Sequence, residues 1–400
     1  MAGVVVIGAG QAGAALVAGL RGGGYDGAIT LIGEEPVPPY QRPPLSKKYL
    51  LGEMALERLY LRPESYYAEA GIKLRLNTRV TAIDRAAQEV VTGAGRIGYA
   101  HLVLATGSVP RRLPPAMGGD LGGVHVVRSL ADVDAMAPGF VAGARVLIVG
   151  GGYIGLEAAA VAASRGMGVV LIEMAARILG RVAAPETSDY FRALHARHGV
   201  EIREGVGLER LLGEGQVRAA RLSDGREIAA DMVIVGIGIA PDTALAEAAG
   251  LVIDNGIAVD AQGRTSDPAI WAAGDCAAFP YRGGRLRLES VPNAIDMAEC
   301  VAGNILGRGA AYVPKPWFWS DQYDVKLQIA GLNTGYDRVV TRAAGGAYSV
   351  WYFRGADLAA VDAMNDPRAY MVGKRLIEAG QSADPGRVAD PAADLKALLG

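Results

Sequence analysis

Three glycines near the start of the chain, Gly8, Gly10 and Gly13, have the spacing that receives a dinucleotide pyrophosphate. The first glycine turns the chain, the second lets backbone approach the phosphates, and the third lets the following helix pack closely. The N–H groups at the helix N-terminus then point at the phosphates. At the end of the next strand, Glu34 is expected to accept a hydrogen bond from a ribose 2′-hydroxyl, with Glu35 as its solvated neighbour.

The same chemistry occurs a second time, at Gly150, Gly152 and Gly155. The acid that ends the following strand is Glu173, whose carboxylate would bond a ribose 2′-hydroxyl and repel a 2′-phosphate. This favours NADH over NADPH. Arg177 and Arg181 follow closely and could meet a phosphate, although contact with the adenosine or pyrophosphate is favoured.

The elements around the two turns repeat in the same order. Each turn follows a strand of β-branched residues, at 4–7 and 145–149, and precedes a second strand, at 28–32 and 169–173. Strands at 71–75 and 199–203 come next, and each copy returns with a buried strand that ends at Gly107 or Gly236. Recurrence of four elements predicts two dinucleotide-binding domains in one chain.

Composition excludes several classes of protein. The 400 residues carry 40 Lys and Arg against 42 Asp and Glu, a balance that does not favour a nucleic-acid-binding or membrane-surface protein. Two cysteines make no disulfide framework, and with a strand beginning by Val4 a cytoplasmic protein without signal peptide is expected. The four histidines show no ligand spacing with cysteine, so no metal site is expected.

Five stretches together resemble the flavoproteins with two dinucleotide-binding domains and a glutathione-reductase-like layout. The closest resemblance is to the ferredoxin reductases of bacterial monooxygenase and dioxygenase systems, and it covers essentially the whole chain. The stretches are Arg42–Lys47, Leu104–Gly107, Ile148–Glu157, Glu289–Ala294 and Trp317–Gln322. The implied fold is α/β, with two Rossmann-like domains and a C-terminal α+β domain.

The resemblance implies a discontinuous FAD-binding domain at 1–112 and 240–314, an NADH-binding domain at 113–239 and a C-terminal domain at 315–400. To the first glycine turn and Glu34 it adds a set of FAD-binding residues. These are Ala12, Arg42, Lys47, Val80, Ala105, Thr106, Gly107, Arg128, Asp275, Val291 and Trp319. For NADH it implies the second glycine turn with Tyr153, Ile154, Glu157, Glu173, Arg177, Arg181 and Gly236.

Lys47 and Glu157 are the expected catalytic pair. By resemblance the two side chains meet where flavin and nicotinamide meet, with the lysine near flavin N5. Glu157 is expected in the first turn of its helix, where the helix dipole favours a carboxylate. Trp317 and Trp319, which the resemblance places beside the flavin, would shape the route by which electrons leave.

The chain has no C-x-x-C or C-x4-C motif, because Cys276 and Cys300 stand far apart. Electrons are therefore expected to leave singly, and the resemblance names a [2Fe–2S] ferredoxin as the acceptor in a cytochrome P450 or aromatic-ring dioxygenase system. Arg62, Arg308 and Lys326 are candidate docking residues for it. Rubredoxin, oxygen or a quinone as acceptor, and a redox sensor resembling apoptosis-inducing factor, remain alternatives. Monomer and dimer both remain open.

Overall fold

The computed structural model describes residues 3–399. The first part of the chain contains the strand, helix and strand that the first glycine turn predicts. Its elements are β1 (Gly3–Ile7), α1 (Gln11–Gly22), β2 (Ile29–Ile32), α2 (Glu64–Glu69), β3 (Ile72–Arg75), β4 (Val80–Asp84), β5 (Glu89–Thr92), β6 (Gly95–Leu104) and β7 (Ser108–Pro110). Between β2 and α2, the proline-rich segment 36–47 contains the 3-10 turn Pro43–Ser46, because proline is accepted at the start of a helix.

The middle of the chain repeats this order after the second glycine turn. Its elements are β8 (Val124–His125), α3 (Leu130–Met136), β9 (Arg145–Val149), α4 (Tyr153–Ser164), β10 (Gly168–Glu173), α5 (Pro185–Arg197), β11 (Glu201–Glu204), β12 (Leu208–Leu212), β13 (Ala219–Leu222), β14 (Glu227–Ala229), β15 (Met232–Val235) and β16 (Ile239–Pro241).

The last part of the chain changes from short elements to a regular antiparallel sheet. Its elements are α6 (Ala244–Ala248), β17 (Ile257–Ala258), β18 (Ile270–Ala272), β19 (Ala277–Tyr281), β20 (Gly284–Leu286), α7 (Val291–Ile305), β21 (Trp317–Gln322), β22 (Val325–Gly331), β23 (Arg338–Ala344), β24 (Ala347–Arg354), β25 (Asp357–Met364), α8 (Pro367–Glu378) and α9 (Pro385–Ala389).

The described residues form two compact units. The first unit contains the chain up to Arg42, then Met54–Val109 and Ile239–Pro316. The second contains Pro43–Glu53, Pro110–Gly238 and the chain from Trp317 onward. The division into FAD-binding, NADH-binding and C-terminal domains at the boundaries given above stays a prediction.

The first unit is built on a seven-stranded sheet of order β3-β2-β1-β6-β5-β4, with β18 also paired to β6. β1 pairs in parallel with β2 and with β6, so it is central, and Val4, Val5 and Val6 in it are buried. Such continuous β-branched runs are typical of parallel strands that are covered on both faces. The sheet therefore brings the ends of β1, β2 and β6 to one edge, where the first glycine turn lies.

The second unit contains the equivalent parallel sheet, of order β11-β10-β9-β15-β8. β9 is central here and pairs in parallel with β10 and β15. The expected repeat of strand, turn, helix, strand and returning strand is confirmed, since β9, α4, β10, β11 and β15 match β1, α1, β2, β3 and β6. β12, β13 and β14 form a separate antiparallel sheet in this unit.

The expected C-terminal antiparallel sheet is present in the second unit, with the order β21-β22-β25-β24-β23. One face packs on α8, where Trp351, Phe353 and Val361 join Tyr370 and Leu376 in a buried cluster. Because side chains alternate along a strand, the other face of β21 carries Ser320 and Gln322, both fully buried. Among residues 3–399, no helix is long and apolar enough to cross a membrane.

Candidate functional site

The three glycines of the first turn differ in what surrounds them and therefore in why a side chain is absent. Gly8 has φ +112°, and a Cβ there would lie 2.0 Å from the carbonyl oxygen of Ala105. A Cβ on Gly13 would lie 2.0 Å from the carbonyl oxygen of Gly8, so the third glycine is needed by the turn itself. At Gly10 a Cβ would meet nothing within 4 Å. Protein packing therefore requires the outer two glycines and leaves space beside the middle one.

The second turn has the same geometry. Gly150 has φ +108°, and its Cβ would lie 2.3 Å from the carbonyl oxygen of Gly236, while a Cβ on Gly155 would lie 2.1 Å from that of Gly150. A Cβ on Gly152 would meet nothing within 4 Å. Thus Ala105 and Gly236, at the ends of the returning strands, have equivalent structural roles in the two copies.

Both helices that leave these turns begin without a side-chain cap. Gly10 is the N-cap of α1 and Gly152 that of α4, and each helix has 12 residues with no acidic side chain in its first turn. Backbone N–H groups at such an end favour an anion. Open space beside the middle glycine and an uncapped helix N-terminus fit a pyrophosphate at both turns.

The acids after β2 differ from the expectation in one respect. Glu34 is 59% exposed and pairs with Arg79, with Nε–Oε1 at 2.8 Å. Glu35 is 31% exposed, accepts a hydrogen bond from Tyr40 and pairs with Arg42, with Nη2–Oε1 at 2.6 Å. The expectation that Glu35 is a solvated neighbour is therefore wrong, because Arg42 and Tyr40 hold its carboxylate against the proline-rich segment.

The acid after β10 is fixed by backbone donors. One Glu173 oxygen accepts from the N–H of Gly151 and the other from that of Ala175, both at 2.7 Å. Arg177 donates to Ser188 and to the carbonyl oxygens of Gly180 and Ala183. Arg181 is exposed. The Glu173 carboxylate thus lies directly beside the second glycine turn, with its orientation determined by the turn.

The remaining FAD-binding candidates of the first unit lie near the carboxyl end of β6 or at element ends. Thr106 donates to the carbonyl oxygen of Asp242 at 2.6 Å, and Asp275 accepts from Ser108 at 3.0 Å. Ala12 lies beside Gly274, since a Cβ on Gly274 would be 3.0 Å from the Ala12 Cβ. The others are Gly107, at φ +75°, Val80, which begins β4, and Val291, which begins α7.

Lys47 and Glu157 form a buried ion pair within the second unit. Their Nζ and Oε2 atoms are 2.6 Å apart, and their side chains are only 17% and 6% exposed. Ser46 donates to the same Oε2 at 2.8 Å, and Ser320 donates to Oε1 at 2.7 Å. Three donors therefore surround one carboxylate that would be costly to bury alone.

The position of Glu157 corrects a second expectation. It is the fifth residue of α4, whose first turn contains no acid. Side-chain hydroxyls and an ammonium, rather than the helix dipole, therefore stabilise the carboxylate. Sequence reasoning did not find Ser46 or Ser320, although both belong to the stretches that carry the family resemblance.

The other candidates of the second unit lie on α4, on β21 or before α3. Tyr153 packs on Phe318, with ring centroids 4.9 Å apart, and burial raises its pKa well above the usual value. Ile154 is 43% exposed. Trp319 lies 5.5 Å from Trp317, centroid to centroid, on the face of β21 opposite to Ser320. Arg128 lies between β8 and α3 and is half-buried.

The two cysteines are unpaired and differ in environment. Cys276 is fully buried, and this burial raises the pKa of its thiol. Cys300 is half-buried on α7, with its pKa also raised by burial. A raised pKa disfavours the thiolate, which is the reactive form of cysteine.

The comparisons with known proteins agree with this geometry. The family model for pyridine nucleotide-disulphide oxidoreductases matches residues 2–298, and a reductase C-terminal model matches residues 317–399. A ferredoxin–NAD(P)+ reductase from Sphingomonas is 45% identical, covering 99% of this chain and 97% of its own. The chain belongs to the ferredoxin reductase family. Putidaredoxin reductase from Pseudomonas putida is 42% identical, covering 99% and 96% of the two chains.

Solved structures place this ferredoxin reductase in the same fold. A putidaredoxin reductase, solved in covalent complex with putidaredoxin, matches with a TM-score of 0.96 at 40% identity, covering 100% of this chain and 98% of the other. The predicted fold, with two Rossmann-like domains and a C-terminal α+β domain, is confirmed. Family membership implies FAD and a nicotinamide dinucleotide as cofactors, and the two glycine turns fit their pyrophosphates.

Proposed function

We propose that this reductase passes electrons from NADH through FAD to a [2Fe–2S] ferredoxin that serves a cytochrome P450 or an aromatic-ring dioxygenase. The likeness to ferredoxin reductases over nearly the whole chain supports the reaction. The single observation that carries the proposal is the buried Lys47–Glu157 pair, beside the second glycine turn and directly after the proline-rich segment. Disulfide reductases of this layout are expected to carry a cysteine motif beside the flavin, and the position after the proline-rich segment carries Lys47 instead.

FAD supplies the chemistry that converts a two-electron hydride donor into a source of single electrons. The chain supplies position and charge. We propose that the first turn, with Gly8, Gly10 and Gly13, holds the FAD pyrophosphate, and that Thr106, Asp275 and the other first-unit candidates orient the cofactor. Open space at Gly10 and the uncapped α1 support this role.

We propose that the Lys47 ammonium stabilises the negative charge that the flavin would gain on reduction. Glu157 would hold this ammonium in place. The pair is short and nearly dry, and a fixed charge in such surroundings acts more strongly than one in water. Ser46 and Ser320 donate to the carboxylate, so Glu157 can hold a single orientation toward the lysine. Trp319 and Arg128 remain proposed FAD contacts on the basis of the resemblance.

The preference for NADH over NADPH is proposed to come from Glu173. Its carboxylate lies beside the second turn, since Gly151 and Ala175 donate to it at 2.7 Å. A negative charge there would repel a 2′-phosphate and accept from a 2′-hydroxyl. Arg177, which donates to Ser188 and backbone carbonyls, leaves Arg181 as the more available cation.

Ferredoxin docking on Arg62, Arg308 and Lys326 stays a proposal, supported by their exposure. Arg62 and Arg308 belong to the first unit and Lys326 to the second. A cytoplasmic location is likewise proposed, and the two unpaired cysteines are in keeping with a reducing compartment.

The test is a set of anaerobic stopped-flow mixings. The FAD-loaded protein is reduced with NADH and then mixed with putidaredoxin, a rubredoxin, a quinone, oxidised glutathione or lipoamide. We expect rapid reduction of the [2Fe–2S] protein and no turnover of either disulfide. Fast disulfide turnover, or transfer to rubredoxin or quinone but to no [2Fe–2S] protein, would overturn the proposal.

A further inference from the structure

Strand β21 presents every second side chain to the nucleotide-binding part of the second unit. Phe318 packs on Tyr153, Ser320 bonds Glu157, and the Oε1 of Gln322 lies 2.8 Å from the Nε2 of His195. This follows from the period of two along a strand. One edge of the C-terminal sheet therefore contacts α4 and α5 directly, and one of its contacts is with the Glu157 carboxylate.

These contacts extend into a continuous chain of hydrogen bonds. The Tyr323 hydroxyl lies 3.2 Å from the Nδ1 of His195, and Gln322 Nε2 donates to the Ser320 Oγ at 3.2 Å. The side chains of Ser320, Gln322 and His195 are all completely buried. Buried polar groups must find partners within the protein, so the arrangement of each one constrains the next.

The donors can be assigned from one end to the other. A buried carboxylate needs donors, so the single Ser320 proton belongs on Glu157 Oε1. Ser320 must then accept from the Gln322 amide nitrogen, which turns the Gln322 carbonyl oxygen toward His195. His195 therefore carries a proton on Nε2, and in the neutral ring its Nδ1 accepts from Tyr323.

The environment of His195 agrees with this tautomer. Burial lowers its pKa to about 4, so the ring is neutral at pH 7. The reverse orientation of Gln322 would make Ser320 donate to the amide oxygen and leave Glu157 Oε1 without that proton. Only the assigned direction lets Ser320 donate to the Glu157 Oε1 atom.

We propose that Ser320, Gln322 and His195 are positioning residues for the Lys47–Glu157 pair. The network fixes the Ser320 proton on Oε1, which leaves Oε2 for Lys47 and Ser46. The proposal rests on the function proposed above, in which that pair acts beside the reacting cofactors. It adds that the C-terminal sheet determines the orientation of the pair through hydrogen bonds.

The variants are Ser320→Ala, which removes the donor, and Gln322→Glu, which keeps the shape but replaces the amide donor with a second carboxylate. Ser320→Thr keeps the hydroxyl and should therefore retain the wild-type behaviour that Ser320→Ala loses. Ser349→Ala is the matched control, since Ser349 is equally buried in the same sheet and bonds Asp366 and Trp351 instead.

The first readout is reduction of bound FAD by NADH without any ferredoxin, so it stays interpretable if ferredoxin is not the acceptor. We expect the limiting rate to fall about ten- to a hundredfold in Ser320→Ala and Gln322→Glu, which is the loss of one hydrogen bond to a charge. The NADH concentration for half-maximal rate should change little, and the control and Ser320→Thr should stay within about threefold of wild type. Unchanged limiting rates in folded Ser320→Ala and Gln322→Glu would overturn the proposal.

The second readout needs no turnover. The readout is the nitrogen-15 NMR spectrum of the histidine rings. Because the chain has four histidines, each ring signal can be assigned by substituting one histidine at a time. His195 should be neutral with its proton on Nε2 at pH 7 in wild type, in Ser349→Ala and in Ser320→Thr. Gln322→Glu should convert it to an imidazolium, because a carboxylate then faces the ring. A proton on Nδ1 in wild type would contradict the assigned network.

Discussion

Removal of the Lys47 ammonium should show how strongly burial couples it to Glu157. In Lys47→Met the Glu157 carboxylate loses its ion-pair partner but keeps hydrogen bonds from Ser46 and Ser320. Removing one partner of a buried pair costs about 3–5 kcal/mol, and because two donors remain we expect a loss of stability at the lower end, about 3 kcal/mol. Glu157→Gln leaves the ammonium partly solvated and bonded to the Pro43 carbonyl at 3.3 Å, and should cost about 2 kcal/mol. In a double-mutant cycle, the coupling energy should be about 2 kcal/mol.

The control cycle uses Lys374 and Glu378, a lysine–glutamate pair in α8 of the same unit. Their side chains are 25% and 29% exposed and four residues apart, so a coupling of about 0.3–0.5 kcal/mol is expected. The assay is urea unfolding monitored by tryptophan fluorescence. Trp317, Trp319 and Trp351 belong to the second unit, so the signal reports on the unit that contains both ion pairs. Equal coupling energies in the two cycles would refute the inference that burial makes the first pair strong.

Three further predictions concern the glycine turns, the acid proposed to select NADH, and a buried histidine. Gly13→Ala should prevent or strongly impair folding through its clash with the Gly8 carbonyl. Gly10→Ala should leave the free energy of unfolding, measured in urea, within about 0.5 kcal/mol of wild type and weaken only FAD retention on dialysis. Glu173→Arg should shift the ratio of kcat/KM values toward NADPH about ten- to a hundredfold, and a wild type that prefers NADPH would contradict it. His195 is neutral when folded, with its pKa lowered from 6.5 to about 4 by burial, so it takes up a proton on unfolding. Stability should therefore fall by up to about 3 kcal/mol from pH 6.5 to pH 4, and His195→Gln should lack this part of the dependence in urea unfolding.

Local patterns predicted the two glycine turns together with the strands and helices around them. The positions of Gly8, Gly10 and Gly13 follow from the geometry of one turn, and the acid at Glu173 follows from the end of the next strand. Each of these features depends on residues that are close in sequence, so spacing and residue type are sufficient to predict it.

Contacts between distant residues were harder to predict. Lys47 and Glu157 are 110 residues apart and were paired only through the family resemblance. Ser320 lies 163 residues from Glu157. Ser320 and Gln322 share one face of β21, but their partners can be predicted only when α4 and α5 are known to lie against that face. The pairing of Glu35 was missed for a similar reason, because its partner Arg42 lies in a proline-rich segment whose path no local rule specifies.

The central claim is that electrons leave the reductase without a thiol. It is tested most directly with the double variant Cys276→Ala/Cys300→Ser, in which both cysteines of the chain are removed. In anaerobic stopped-flow with FAD-loaded protein, NADH and putidaredoxin, we expect the iron–sulfur protein to be reduced at a rate within about twofold of wild type, since Ala and Ser differ little in volume from Cys and no thiol is needed for the transfer. Loss of transfer to the [2Fe–2S] centre in a folded, FAD-loaded variant, with reduction by NADH intact, would show that a thiol carries the electrons and would contradict the account.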